Sequence, residues 1–316
     1  MKTSPVSSQD LQRSVIAVPP LARDTEYRLN KSANRALLSH LYEGGVRTVM
    51  YGGNANFYHL GVNDYADTVA QLADLAQSDM WVLPSVGPDF GKMRDQTAIL
   101  RGFDFPTAML LPMTFPYTQQ GLADGIRYFS DAFGDKIVVY IKSDNYLPAE
   151  TMASLVEEGR IVSFKYAVVR PDPTDDPYLQ SILSCVSPEL IVSGIGETPA
   201  IDHMAHFGLK TFTSGSVCLA PAGSMGLLRA MQANDTATAQ TLRAHYMAFE
   251  ALRDGINPIR VLHDGVTLAG IADMGPILPM FSGLTENEAQ QVGPVARQLA
   301  TWGNSQLAEN QQESCA

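Results

Sequence analysis

The residue whose type and setting most directly imply chemistry is Lys165. It lies in Ile161-Val162-Ser163-Phe164-Lys165-Tyr166, a run of β-forming side chains. Strand alternation puts Ile161, Ser163 and Lys165 on one face and Val162, Phe164 and Tyr166 on the other. If such a strand is buried on both faces, the ammonium must be paired or its pKa must fall. A desolvated, partly neutral lysine attacks a ketone to form a Schiff base. The plainer reading is a lysine at a strand end, reaching solvent or pairing with a carboxylate. Tyr140, in Val138-Val139-Tyr140-Ile141-Lys142, shares a face with Val138. It is either a core tyrosine with a satisfied hydroxyl or, beside an inward lysine one strand away, a group that shuttles protons.

A chain that positions these residues needs regular elements, and the pattern supplies them. Short β-rich runs occur at Val15–Val18, Thr48–Tyr51, Trp81–Leu83, Thr107–Leu111, Ile137–Ile141, Ile161–Lys165, Leu190–Ser193 and Thr211–Thr213. Helical periodicity separates them, as at Ser32–Tyr42, Tyr65–Ala76, Leu122–Phe133, Ala149–Glu158 and Met225–Ala233. Eight strand–helix pairs in this length predict an α/β fold, a closed (β/α)8 TIM barrel over residues 1–233 with a short N-terminal extension. An open doubly wound sheet would place a GxGxxG after its first strand, where this chain has Pro19-Pro20. Beyond residue 233 three helices are expected, Thr236–Arg253, Ile259–Ile271 and Glu286–Leu299. They form a C-terminal helical region (234–303) packed on the barrel as one cooperative unit, followed by a polar, frayed tail (304–316).

In such a barrel the site lies at the C-terminal ends of the strands. Strand two runs into Tyr51-Gly52-Gly53-Asn54-Ala55-Asn56, either a simple tight turn or one whose N–H groups at Gly53 and Asn54 approach a ligand. Strand six ends at Lys165, strand seven at Ser193-Gly194-Ile195-Gly196-Glu197 and strand eight at Ser214-Gly215-Ser216. Glycines at three of these mouths leave room for a small ligand beside Lys165.

This order and spacing resemble the dihydrodipicolinate synthase and N-acetylneuraminate lyase family of class I aldolases over nearly the whole chain. The family's Gly-Thr-Thr-Gly-Glu turn falls on Gly52-Gly53-Asn54-Ala55-Asn56, its Tyr-Asn-x-Pro on Tyr140-Ile141-Lys142-Ser143 and its lysine on Lys165. Its Ser-Gly falls on Ser193-Gly194, its strand-eight glycine on Gly215 and its late Asn-Pro-Ile on Asn257-Pro258-Ile259. The resemblance implies a lyase, a carbon–carbon aldolase or carbon–oxygen hydro-lyase. It would act on a 2-oxo acid such as pyruvate or a pyruvate-yielding sugar acid through an imine on Lys165, with Tyr140 as acid/base. Gly53, Asn54, Gly194, Glu197, Gly215 and Ser216 are the expected substrate-binding positions. No cofactor is expected, and a homo-oligomer, tetramer or dimer, is.

The departures narrow the activity. The paired threonines of the synthases are Gly53 and Asn54 here, their strand-four tyrosine gives way to Met113-Thr114, and no arginine lies between Tyr140 and Arg160. Sialic acid lyases carry Asp-Glu where this chain has Gly196-Glu197. Asp144-Asn145 is similar to the Asp-Asn of 5-dehydro-4-deoxyglucarate dehydratases, although that branch follows its lysine with Asp and this chain has Tyr166-Ala167. The expected substrate is a hydroxylated 2-oxo acid. Lys142 and Arg170 are candidates for a second carboxylate, with pairing to Asp172 or Asp175 as the plainer reading.

Other constellations carry less. His203 and His206 are read as solvated helix positions without further metal ligands. The aspartate–proline run Asp172–Pro177 is read as turn and N-cap chemistry. The formal charge of −11 argues against a nucleic-acid surface. Three scattered cysteines, Cys185, Cys218 and Cys315, make neither a disulfide framework nor a zinc site. No stretch approaches the roughly 20 apolar residues of a membrane span, and residues 1–13 lack a signal-peptide core, so a soluble cytoplasmic protein is expected. Two alternatives to the lyase remain: an inactive binding protein on the same barrel, and a phosphate-recognising barrel enzyme using Gly215-Ser216 without an imine.

Overall fold

The computed structural model describes residues 1–314. Eight parallel strands form a closed barrel: β1 (Ile16–Ala17), β2 (Thr48–Met50), β3 (Trp81–Leu83, resuming at Ser85–Val86), β4 (Met109–Leu110), β5 (Ile137–Ile141), β6 (Ile161–Tyr166), β7 (Ile191–Ser193) and β8 (Thr213–Ser214). β1 pairs with both β2 and β8, and a parallel bridge from Ser193 to Phe212 joins β7 to the start of β8. Pro84 divides β3. Having no N–H to give the ladder, it separates Trp81–Leu83, paired with β2, from Ser85–Val86, paired with β4. The expected (β/α)8 barrel is the observed one. Most strands are shorter than their β-rich runs, and only β3's first segment and β5 keep the expected limits.

A helix follows each strand: α1 (Lys31–Glu43), α2 (Val62–Leu75), α3 (Phe90–Leu100), α4 (Gln119–Phe133), α5 (Ala149–Glu157), α6 (Pro177–Leu183), α7 (Glu197–Phe207) and α8 (Pro221–Gln232). Side-chain caps start many of them. Asn30, Asp89, Thr118 and Asp176 each accept a first-turn N–H, and α4 stops at Gly134 in the left-handed region. Asp176 is thus the N-cap expected of the aspartate–proline run.

The C-terminal region differs in detail from the expected three helices. The first is divided at His245–Tyr246 into α9 (Thr236–Ala244) and α10 (Met247–Gly255). The bonds from His245 N–H to Leu242 and from Tyr246 N–H to Arg243 tighten the backbone there. The tightened turn swings the Tyr246 ring inward, where its hydroxyl donates to the Ala220 carbonyl at 2.6 Å. α11 is Pro258–Leu268, and α12 runs from Glu286 to Ser314, past Asn304 where fraying was expected. Cys185 and Cys218 are free thiols; Cys315 and the last residue of the expected tail lie outside the described residues.

Trp302 of α12 is the wedge between barrel and extension. It stacks on His245 with centroids 4.1 Å apart and meets Tyr246 edge-on at 5.5 Å. Gly223 of α8 makes room for it, since a Cβ there would lie 2.4 Å from the indole and 2.7 Å from the Tyr246 hydroxyl. Gly223→Val should therefore destabilise the protein by roughly 1–3 kcal/mol. If barrel and extension are one cooperative unit, calorimetry should show a single transition at lower temperature. A second transition retained at the wild-type temperature would mean that the barrel melts independently.

Candidate functional site

All six residues of β6 are buried, which meets the condition that gives Lys165 its interest. β5 and β6 pair with Tyr140 directly opposite Lys165. Both side chains reach a cavity of about 210 Å³ at the C-terminal mouth of the barrel. The Lys165 amine stands over the Tyr140 ring, 4.3 Å from its centroid, and is not bonded to the phenol oxygen. Tyr166, on the opposite face, donates to the buried Asp176 carboxylate at 2.7 Å. The alternation expected of the strand is therefore the alternation observed.

Burial pulls the Lys165 pKa down to about 7, and the cations Lys142 and Arg253 push in the same direction. Among the described residues no carboxylate pairs with it. A substantial fraction of the amine is thus neutral near pH 7. Burial also raises the Tyr140 phenol to about 12, so at that pH it is a proton donor. Gly194 is what lets β7 pass so close. Its N–H donates to the Tyr166 carbonyl at 2.6 Å, and a Cβ there would lie 2.6 Å from that oxygen and 3.0 Å from Lys165 Cγ.

The strand-two turn forms a short 3₁₀ helix, Gly53–Ala55, at the cavity edge. Asn54 turns its amide away from a ligand role, donating to the Val18 carbonyl at 2.7 Å to tie the turn to the end of β1. The Gly53 and Asn54 N–H groups have no protein acceptor among the described residues. Gly215 opens the far wall, where a Cβ would lie 2.9 Å from Arg253 Nη2.

Glu197 and Ser216 lie behind that wall and do not line the cavity. Ser216 donates to the buried Glu250 carboxylate. Glu197 is fully buried at the start of α7. Ser214 Oγ lies 2.7 and 2.8 Å from its two oxygens and accepts from the Val217 N–H at 2.9 Å. Ser224 Oγ lies 2.8 Å from Glu197 Oε1 and 2.9 Å from the Tyr246 hydroxyl. Ser224 donates to Glu197, and Tyr246 donates to the Ala220 carbonyl. Burial first and the Glu250 charge second raise the Glu197 pKa to about 7, against the lowering effect of the bonds from Ser214 and Ser224.

In sequence the chain is 23% identical over 287 residues to a Rhizobium meliloti (strain 1021) protein named "Probable 5-dehydro-4-deoxyglucarate dehydratase". The match spans 87% of this chain and 92% of that protein. No family model matches the chain. In structure it superposes on dihydrodipicolinate synthase from Bacillus clausii with a TM-score of 0.79, at 19% identity, covering 93% of this chain and 99% of that one. The Ruminococcus gnavus sialic acid aldolase gives a TM-score of 0.80 at 13% identity, covering 94% and 99%. The fold is that of the dihydrodipicolinate synthases and sialic acid aldolases.

Within this fold the structure brings together Lys165, Tyr140, Gly53, Asn54, Gly194 and Gly215 of the residues singled out in sequence. It adds three that sequence reading passed over. Tyr58 lines the cavity, and burial with the neighbouring Tyr140 raises its phenol pKa. Arg253 and Glu250, both on α10, enter from the C-terminal extension and are joined at 2.8 Å. An aromatic residue just after a glycine-rich strand mouth was the available signal for Tyr58. For Glu250 and Arg253 the i,i+3 spacing was visible, but it is also that of an ordinary surface pair.

Lys142 lines the cavity, whereas Arg170 does not. Arg170 pairs with Asp144 at 2.8 Å and with Asp176 at 2.9 Å, and neither partner is the expected Asp172 or Asp175. A larger cleft of about 620 Å³ outside the barrel contains Asp144 and Arg170, but these neutralise each other. His203 corrects its solvated reading. It is buried with Nδ1 2.8 Å from Ser193 Oγ, and burial lowers its pKa to about 4.

The raised pKa of Glu197 is testable. Its folded pKa is raised, so its contribution to stability is complete below the ordinary carboxylate value and is lost as pH rises through the raised one. Glu197→Gln should therefore gain on wild type as pH increases from 5 to 8. Glu197→Ala, which strands Ser214 and Ser224, should lose about 1–3 kcal/mol at pH 5. Thermal melts at the two pH values measure both; a wild-type advantage over the glutamine variant that grows with pH would show that Glu197 is ionised.

Proposed function

We propose that the protein is a Schiff-base-forming lyase acting on a 2-oxo acid, with Lys165 as the nucleophile. The observation that carries this reading is an amine on a fully buried strand, without a carboxylate partner and with its pKa lowered to about 7, facing a cavity. The neutral amine adds to the ketone, and loss of water gives the imine. Protonated, the imine draws electrons from the adjacent carbon as that carbon releases a proton or breaks a C–C bond. The resulting enamine then either takes up a proton or expels a hydroxyl from the next carbon as water. Tyr140, protonated at neutral pH, supplies the proton that carries off the departing oxygen, and Tyr58 stands beside it as a second phenol.

The substrate class follows from charge. The cavity is lined by Lys142, Arg253, Gly53 and Asn54, and Arg253 is held by Glu250. The exposed Lys142 and the N–H groups of Gly53 and Asn54 suit a substrate with a carboxylate at each end. The 5-dehydro-4-deoxyglucarate named for the Rhizobium meliloti relative is such a dicarboxylic 2-oxo acid, and dehydration of a hydroxylated acid of this kind is the reaction we favour over aldol cleavage. A phosphate ligand at Gly215-Ser216 is disfavoured, because Ser216 is committed to the Glu250 carboxylate. A protein that only binds its ligand has no use for a lysine brought to near neutrality, which weighs against the inactive alternative. Among the described residues no helix is long and apolar enough to cross a membrane. We assign the protein to the cytoplasm as a homo-oligomer, a dimer or tetramer.

Incubation with pyruvate and borohydride, followed by intact-protein mass spectrometry, should give one adduct on the Lys165 peptide and none on Lys165→Ala. Adduct formation should rise with pH and be half-maximal near the Lys165 pKa of about 7. Tyr140→Phe should keep the adduct but lower turnover on a hydroxylated 2-oxo dicarboxylate by about 10²-fold or more. Absence of any adduct with pyruvate and with longer 2-oxo acids would sink the lyase reading.

A further inference from the structure

Glu250 takes no part in the chemistry above, yet the cavity wall is built around it. Its carboxylate is buried, accepts from Arg253 Nη1 at 2.8 Å and takes the hydroxyl proton of Ser216. Arg253 is fixed a second time by Nε, which donates to the Pro258 carbonyl at 3.3 Å, and its Nη2 rests against the bare backbone of Gly215. The ion pair thus bridges the β8 mouth, α10 and the start of α11, in the same wall that receives Lys165.

We propose that Glu250 is a positioning residue: it holds the Arg253 guanidinium in the cavity wall and masks that charge from the Lys165 amine, thereby setting the pH at which the amine becomes reactive. The inference rests on the lysine-imine reading for its function, and on the geometry of the pair for its mechanism. Two unmasked cations beside a buried amine would favour its neutral form far below the pH at which a 2-oxo acid needs a protonated imine. One masked cation leaves both protonation states accessible.

The groups around Lys165 are few. Tyr140 comes from β5 and Lys142 from the position just after it, Tyr58 from the strand-two loop, and Glu250, Arg253 and Asp254 from α10, with Glu197 of α7 behind the wall. Tyr140 and Tyr58 are neutral phenols. Burial and the Glu250 charge raise the Glu197 pKa to about 7, and Lys142 is exposed to screening by solvent. Burial and the Glu250 charge both raise the pKa of Asp254. Glu250 is therefore the carboxylate bonded to the one buried cation of the wall, and its removal is the sharpest change available.

Competitive labelling of Lys165 with acetic anhydride, followed by peptide mass spectrometry across pH 5–10, reads the amine directly and needs no substrate. Glu250→Gln should lower the labelling midpoint by roughly one pH unit, as expected for a single charge at short range in a partly buried site. Arg253→Gln should raise it by a similar amount, and the double variant should return it close to wild type. Ser216→Ala removes one donor to Glu250 without changing a formal charge, and should shift the midpoint in the Glu250→Gln direction by less. It serves where the charge variants do not fold. An unmoved midpoint in folded Glu250→Gln or Ser216→Ala would reduce Glu250 to a structural group and overturn the proposal. Pyruvate–borohydride trapping in parallel separates the two ideas: a shifted midpoint with no trapped adduct in wild type leaves the masking intact and removes the lyase reading.

Discussion

The desolvation of one amine governs the organisation of this molecule. A lysine on a strand buried on both faces opposes folding unless it is paired or neutral, and the barrel offers Lys165 no carboxylate. The chain meets the problem by letting the amine lose its proton. A side chain that folding would otherwise exclude is retained, with its pKa lowered to about 7. The register of β5 against β6, which puts Tyr140 opposite Lys165, gives the amine an aromatic face in place of an ion partner. The face is attractive enough to orient the ammonium and too weak to hold its proton against burial.

The same constraint explains why the C-terminal helices belong to the site. An open barrel mouth would let water reach Lys165 and restore its proton affinity. α10 and α11 cover the mouth and bring Arg253, Pro258 and Ile259 to the cavity. Bringing an arginine into that wall introduces a second buried charge, and Glu250 compensates it with help from Ser216. The next carboxyl inward, Glu197, has its pKa raised to about 7 by burial and by the Glu250 charge, and it accepts from Ser214 and Ser224. Cation, carboxylate and raised acid succeed one another from the cavity to the α8 face.

Sequence made the barrel and its buried lysine legible because both rest on local signals. Strand five, Ile137–Ile141, is written in β-branched residues and a tyrosine, and alternation alone placed Tyr140 and Lys165 inward. What sequence did not reveal depends on which side of an element faces another. Glu197 stands in the first turn of α7, and its spacing from Gly194 is the same whether it enters the cavity or points behind it. Glu250 and Arg253, three apart on a helix, have the pattern of a solvent-facing pair. Only the docking of α10 on the barrel turns them inward. His203 looked solvated for the same reason, and it is buried against Tyr166 with a hydrogen bond to Ser193 across the β7–α7 interface. The bond that anchors Tyr246 at the break is equally non-local, since its acceptor is a carbonyl 26 residues earlier.

The sequence differences at the barrel mouth have structural counterparts. Gly53 and Asn54 stand where the synthases carry threonines, and Asn54 spends its amide on Val18, so the turn offers the cavity its backbone N–H groups. Tyr58, a few residues on, lines the same cavity as Tyr140, and Arg253 reaches it from the extension. Lys165 and Tyr140 are held by the register of β5 against β6. Tyr58 and Arg253 come from the loop after β2 and from α10, segments whose residues can change without altering that register.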